Sequence, residues 1–246
     1  MLQTQTTAQQ TLATPLLRRA EDRGHANHGW LRSAHTFSFA SFYDPKWMGF
    51  AGLRVINDDE VAGGAGFPAH PHENFEIFSY VLEGALEHKD SMGNGSVVKA
   101  GGVQYMTAGT GVRHSEYNPS RDERVRFLQI WLEPKVQGAK PSYQTLDIKP
   151  EDKDGKLALF LSEDGRDGSI TTIAGADAFA ATLSGPQAIS FDLRPGRKGW
   201  LQVAKGALSV NGVDLRRGDG LAFTDPGEIV MADGEDAEII LFDLEA

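Results

Sequence analysis

The sequence predicts an all-β protein made of two similar units in tandem, and three observations carry that reading. Short apolar or alternating runs are punctuated by Gly, Asn and Asp at roughly 8–12-residue spacing, the pattern of a sandwich or barrel. Helical periodicity is weak almost throughout the 246 residues. A set of glycine landmarks also recurs: Gly84, Gly101 and Gly109 in the first half stand in contexts matched by Gly206, Gly218 and Gly227 in the second, as expected of an internal duplication.

In chain order, residues 1–17 are rich in Thr, Gln and Ala and lack a basic start followed by a continuous apolar stretch. They read as a mobile tail rather than a signal peptide. Residues 35–39, 76–82 and 126–132 read as strands of a first unit spanning 18–135. Its first two landmark glycines are 17 residues apart, against 12 in the second unit. The extra length accommodates a turn at 89–95, where Asn94-Gly95 is expected to supply the positive φ angles of a tight hairpin. Pro141, Pro150 and Gly138 interrupt strand patterns, so residues 136–150 read as a linker. The second unit, 151–246, opens with an Ala-rich stretch at 175–183 where one short helix is expected, and continues with strands at 200–203 and 237–242.

Composition narrows the function. A 40% hydrophobic and 24% charged chain is that of an ordinary soluble protein, and no apolar run approaches the about 18 residues of a membrane-crossing helix. The net charge of −10, without a cluster of Lys and Arg, argues against direct nucleic-acid binding, which depends on neutralising phosphates. The absence of cysteine excludes disulfides and thiolate metal ligands. Cytoplasmic is the expected location, and no membrane partner is expected.

All seven histidines (25, 28, 35, 70, 72, 88 and 114) fall in the first half. On a strand, residues two apart point to the same face about 6.5–7 Å apart, so His70 and His72 aim together, as do His114 and Glu116. Two such pairs on neighbouring strands would converge into a site of three neutral imidazoles and a carboxylate, suited to a divalent transition metal. The remaining histidines carry weaker signals. His25, His28 and His35 read as histidines satisfied by backbone, and His88 as exposed beside the hairpin turn. Phe37, Phe39, Phe75 and Met106 read as core.

The spacing Gly64-x5-His70-x-His72-x3-Glu76 followed by Gly84 resembles the first cupin motif, and Gly111-x2-His114-x3-Asn118 the second. Residues 23–30, 35–39, 43–45, 54–58 and 114–119 are similar to segments of pirins, especially the bacterial pirin-like quercetinases. The similarity runs from about Arg18 to Pro134 and weakens afterwards. It implies two tandem cupin barrels, each a double-stranded β-helix, with no metal in the second. Aligned on their glycines, the two units place Asp192, Arg194, Met231 and Asp233 where His70, His72, His114 and Glu116 stand, a set poorly suited to a transition metal. General cupins take their carboxylate ligand from the Glu76 position, whereas pirins take it from the His-Ser-Glu at Glu116. The implied ligands are therefore His70, His72, His114 and Glu116, with Glu76 a supporting group or alternative ligand.

The resemblance also implies an activity: a dioxygenase that opens the heterocyclic ring of flavonols such as quercetin and releases carbon monoxide. Glu116 or Glu76 would serve as general base. Its partners would be a flavonol-like small molecule and dioxygen. Its cofactor would be one divalent transition metal ion, with Fe(II) the expected ion and Zn, Ni, Co, Mn and Cu compatible with the same donors. Some pirins are instead metal-bearing regulators that bind a transcription factor or enzyme, and the same four ligands would serve that protein-partner role.

Overall fold

The computed structural model describes residues 16–246, of which 62% are strand against 4% helix. The first strands are β1 (Leu16–Arg18), β2 (Gly24–Asn27), β3 (Leu31–His35) and β4 (Leu53–Val61). There follow β5 (Gly66–His72), β6 (Glu76–Glu83), β7 (Ala85–Asp90) and β8 (Gly95–Lys99), then β9 (Gly102–Thr107), β10 (Val112–Tyr117), β11 (Val125–Leu132) and β12 (Ser142–Asp147). A single helical turn, α1 (Pro150–Lys153), precedes β13 (Ala158–Ser162), β14 (Ile170–Thr171), β15 (Ala176–Leu193) and β16 (Arg197–Val210). The last strands are β17 (Val213–Arg216), β18 (Gly220–Phe223) and β19 (Gly227–Glu245).

The first barrel has two walls. One is a sheet of β5, β10, β7 and β8; the other runs β12, β9, β6, β11, β4, β3, β2. Leu86 and Val98 of the smaller wall pack on Val61, Val81 and Phe127 of the larger. The second unit is one sheet ordered β1, β18, β16, β19, β15, β13, β14, with β17 on β16, bent by register shifts around an apolar interior that includes Leu201, Val203 and Met231.

Strand alternation explains why β11 is apolar on both faces. Phe127, Gln129 and Trp131 face the first barrel's interior, while Leu128, Ile130 and Leu132 face the second unit. There they join Phe78 and Tyr105 against Phe160, Trp200 and Phe242. Buried Arg126 pairs with Asp58 at 2.9 and 3.0 Å and donates to the Ala204 carbonyl of the second unit at 2.6 Å.

The expected strands at 76–82, 126–132, 200–203 and 237–242 all lie within observed ones. Four local expectations are corrected. Residues 175–183 begin β15 rather than a helix, paired with β19 from Ala176 opposite Leu244 to Leu183 opposite Ala237. Their small side chains are buried on both faces, which hides the alternation of a strand. The strand at 35–39 stops at His35, and Ala40 takes φ 50° where the chain turns away. At the hairpin the positive φ belongs to Gly93 (92°), while Asp90 Oδ1 accepts the amides of Met92 and Asn94.

The fourth correction concerns the boundaries between the units. Within 136–150, β12 pairs with β9 from Ser142 opposite Thr107 to Asp147 opposite Gly102, so it completes the first unit's larger sheet. Conversely, Leu16 and Leu17, expected in the tail, lie in β1, which pairs with β18 of the second unit. The rest of the expected tail, residues 1–15, lies outside the described residues. Among the described residues no helix is long and apolar enough to cross a membrane.

Candidate metal centre and its cavity

On the antiparallel strands β5 and β10, His70 stands directly opposite His114 and His72 opposite Val112. His70, His72 and His114 converge, with ring centroids 4.5 to 5.0 Å apart and one nitrogen from each ring within 4.8 Å of the others. The Nε2 atoms of His70 and His114 are 3.1 Å apart. Metal–nitrogen bonds of about 2.0–2.1 Å place neighbouring ligand atoms about 2.9–3.4 Å apart in octahedral or tetrahedral geometry, so this pair already has the spacing of one edge of a coordination shell.

Neighbouring groups set the tautomers. The His70 Nδ1–H donates to the Pro68 carbonyl at 2.8 Å, leaving a lone pair on Nε2. A relay runs from β7 to His114: Asp90 Oδ2 accepts from His88 Nε2 at 3.1 Å, and His88 Nδ1 accepts from His114 Nδ1 at 3.4 Å. His114 Nε2 is thereby left as a lone pair. Burial first, then repulsion from neighbouring imidazoles, pushes the pKa of His72 down to about 4 and that of His114 to about 3. At neutral pH both rings are therefore neutral, as ligation requires.

His88 is a correction. It is 1% exposed and stacks on Tyr143 at 4.1 Å. Leu86, His88 and Asp90 alternate with exposed or half-buried neighbours along β7, so the parity with Leu86 was the available signal. Of the other histidines, His35 is buried and bonded to the Asn57 side chain at 2.9 Å, whereas His25 and His28 are exposed. Phe37 is core, but Phe39 lines the cavity.

Glu116 faces inward from β10 and is buried, held by three donors that sequence reading did not single out. Its Oε1 accepts from Ser79 at 2.9 Å and Gln104 at 2.6 Å, and its Oε2 from Gln129 at 2.7 Å. These donors stand on one rung that crosses the large sheet: Gln104, Ser79, Gln129, Asn57 and His35 are successive register partners on β9, β6, β11, β4 and β3.

Glu76 is not brought to the histidines. Its Oε2 accepts from Tyr105, from Thr107 at 3.1 Å, and from Thr172 and the Ile173 amide of the second unit at 3.4 Å. The turn at 73–75, with Asn74 at φ 52°, breaks the strand parity with His72. The carboxylate thus emerges on the face opposite Ser79, between the two units. Burial raises its pKa despite these donors. A carboxyl whose native pKa lies above its unfolded value stabilises the fold in acid and loses that contribution as pH rises through the native value. Glu76→Gln is therefore expected to match wild type in thermal melts near pH 4 and to melt higher near pH 9, with any catalytic activity unchanged; a lower melting temperature at both ends would contradict it.

In front of the histidines lies a cavity of about 640 Å³, lined by His70, His72, Glu116, Phe39, Phe67 and Trp131 among others. Its size is ordinary for a small-molecule site. Behind them, His88, His114, Gln104 and Met106 leave only about 10 Å³, at most one water. The counterparts of this site in the second unit do not converge: Asp192, Arg194 and Asp233 are exposed, and Met231 is packed in the apolar interior.

Comparison with known proteins places the geometry in a family. The profile described as Pirin matches residues 17–132, and that of the quercetinase C-terminal cupin domain matches residues 159–244. The chain is 48% identical over 228 residues to a quercetin 2,3-dioxygenase of Escherichia coli, covering 93% of this chain and 97% of that protein. It is 43% identical to a pirin-like protein of Caulobacter vibrioides, covering 89% of this chain and 95% of that protein. Among solved structures, the Escherichia coli bacterial pirin YhhW in complex with nickel(II) superposes with a TM-score of 0.89 at 46% identity, covering 94% of this chain and 99% of that one. The convergent histidines of the first barrel, the apolar second barrel and this similarity along nearly the whole chain agree, and the protein belongs to the pirin family of two-domain cupins.

Proposed function

We propose that this protein is a metal-dependent dioxygenase that opens the heterocyclic ring of flavonols such as quercetin, both atoms of dioxygen entering the product and one ring carbon leaving as carbon monoxide. The observation that carries the reading is the set of three convergent imidazoles, two of which, His70 and His72, line a cavity walled by flat aromatic side chains. The names of relatives such as the Escherichia coli quercetin 2,3-dioxygenase support it and do not favour a non-enzymatic regulator.

His70, His72, His114 and Glu116 would hold one divalent ion. When bound, such an ion supplies the charge that acidifies an enolisable hydroxyl and the electronic chemistry that dioxygen requires. The protein supplies the rest. Both acceptor positions of Glu116 Oε1 are filled by Ser79 and Gln104, whereas Oε2 has one bond, from Gln129. As a ligand Glu116 would bind through Oε2, and as the base, with that arm free of the ion, it would take the proton of the flavonol's 3-hydroxyl at the same oxygen. Trp131, Phe39 and Phe67 orient the ring system by contact with its faces. The closely filled space behind the histidines keeps water from reaching the reacting carbons from within the barrel.

The test is quercetin consumption under air by apo-protein reloaded separately with Fe(II), Co, Ni, Mn and Zn, with carbon monoxide monitored. Turnover with at least one ion, accompanied by carbon monoxide and lost in Glu116→Ala, is expected. Stoichiometric binding of the ions without turnover by any of them would sink the enzymatic reading.

A further inference from the structure

The cavity carries a polar group that neither the metal-holding set nor its supports use. Asp59 lines it from β4, is 3% exposed, and has one carboxylate oxygen, Oδ1, buried without a hydrogen-bond partner among the described residues. A buried acceptor left unpaired costs about 1–3 kcal/mol or more, and the same cavity wall offers it little company: Leu31 and Phe67 line the cavity too, and Phe127 is its register partner on β11. Ser33, opposite it on β3, is the nearest polar register partner.

The position of Asp59 gives the cavity two ends. His72 packs on Trp131 at 4.9 Å. Asp59 stands level with Phe127, four residues before Trp131 on the same strand, hence about 13 Å from it along the strand axis. One end of the cavity therefore presents the imidazoles and the other the Asp59 carboxyl, with Gln129 and Asn57 at the level between them and aromatic side chains such as Phe39 and Phe67 elsewhere on the wall. That shape suits a flat, elongated ligand that chelates at one end and carries a hydroxyl at the other.

We propose that Asp59 is a specificity-determining residue that accepts a hydrogen bond from a phenolic hydroxyl on the part of the ligand remote from the histidines. The proposal rests on the flavonol reading above and names the feature of the substrate that the cavity selects, a hydroxylated pendant ring. Burial, with repulsion from Asp58 and Glu116, raises the Asp59 pKa to about 7, as befits a carboxyl kept apart from solvent until a donor arrives. Asn57 does not share the role, because its side-chain oxygen is taken by His35.

The experiment compares two flavonols, quercetin and the analogue lacking both pendant-ring hydroxyls. Each is titrated anaerobically into metal-loaded protein and followed by tryptophan fluorescence, so that binding is read without turnover. Wild type is expected to bind quercetin at least about tenfold more tightly. Asp59→Ala should bring the two affinities within about twofold, mainly by weakening quercetin, while Asp59→Asn, which keeps an acceptor, should retain part of the preference. Metal content and thermal melts establish that each variant is folded and loaded. An Asp59→Ala protein that keeps the wild-type preference would overturn the assignment and leave the flavonol reading intact. A wild type that binds neither flavonol would overturn that reading, and this inference with it.

Discussion

His114→Ala is expected to abolish tight metal binding and turnover together. His114 is the hub of the cluster: its Nε2 lies 3.1 Å from that of His70, and its Nδ1 is fixed by the relay through His88 to Asp90. Alanine removes one of the three convergent nitrogens and leaves the His88 ring without its donor. Loss of groups that merely orient a ligand costs roughly 10–100-fold in affinity or activity, so loss of the ligand itself should exceed 100-fold. His88→Ala should fall within that smaller range and keep the wild-type stoichiometry. Competition with a chromophoric chelator measures both. His114→Ala protein that still binds one equivalent with near wild-type affinity would show that the cluster is not the metal site.

Arg126→Met should produce the largest loss of stability. Arg126 is buried in the wall between the barrels, bidentate to Asp58, with a further bond to Ala204. Methionine fills much of the volume but strands a buried carboxylate, and breaking a buried pair from one side costs about 3–5 kcal/mol. Arg217 and Arg23, at 3.6 and 3.8 Å from Asp58, offset part of that, so about 3 kcal/mol is expected. Replacing both partners, as Arg126→Met with Asp58→Asn, should recover part of the loss, because the buried carboxylate is neutralised while Arg23, 3.8 Å away, loses its counter-charge. Urea midpoints read both effects. Since Leu128 and Trp200 belong to one apolar cluster, the two barrels should unfold in one transition. An unchanged midpoint in Arg126→Met would mean that this ion pair contributes nothing net.

The sequence made legible what is periodic and local. His70 with His72, and His114 with Glu116, share a face because strand side chains alternate strictly, and the only assumption needed was that their strands are neighbours. What it did not show depends on other strands. Ser79, Gln104 and Gln129 are unremarkable polar residues until β6, β9 and β11 lie side by side, when all three donate to one carboxylate. Glu76 lies only four residues beyond His72, but the turn at 73–75 between them resets the alternation and carries its side chain to the other face. His88 was misplaced because nearness to a hairpin outweighed its alternation with Leu86. At 175–183, alanines buried on both faces of β15 gave neither a helical nor a strand period. The boundaries near 17 and 142 were blurred because β1 and β12 each complete a sheet far from their neighbours in sequence, and pairing partners so distant leave no trace in a local pattern.

The placement of β1 bears on how the chain is made. Leu16 pairs with Ala222, a residue translated some 200 positions later. At about 5–20 residues per second the ribosome needs roughly 10–40 s to cover that distance. Throughout that interval β1 has no edge to join, while every strand of the first barrel's own two sheets is made within it. β1 therefore cannot dock until β18 is made, so the pairing that ties it into the second unit's sheet forms only after the strands of the first barrel are complete.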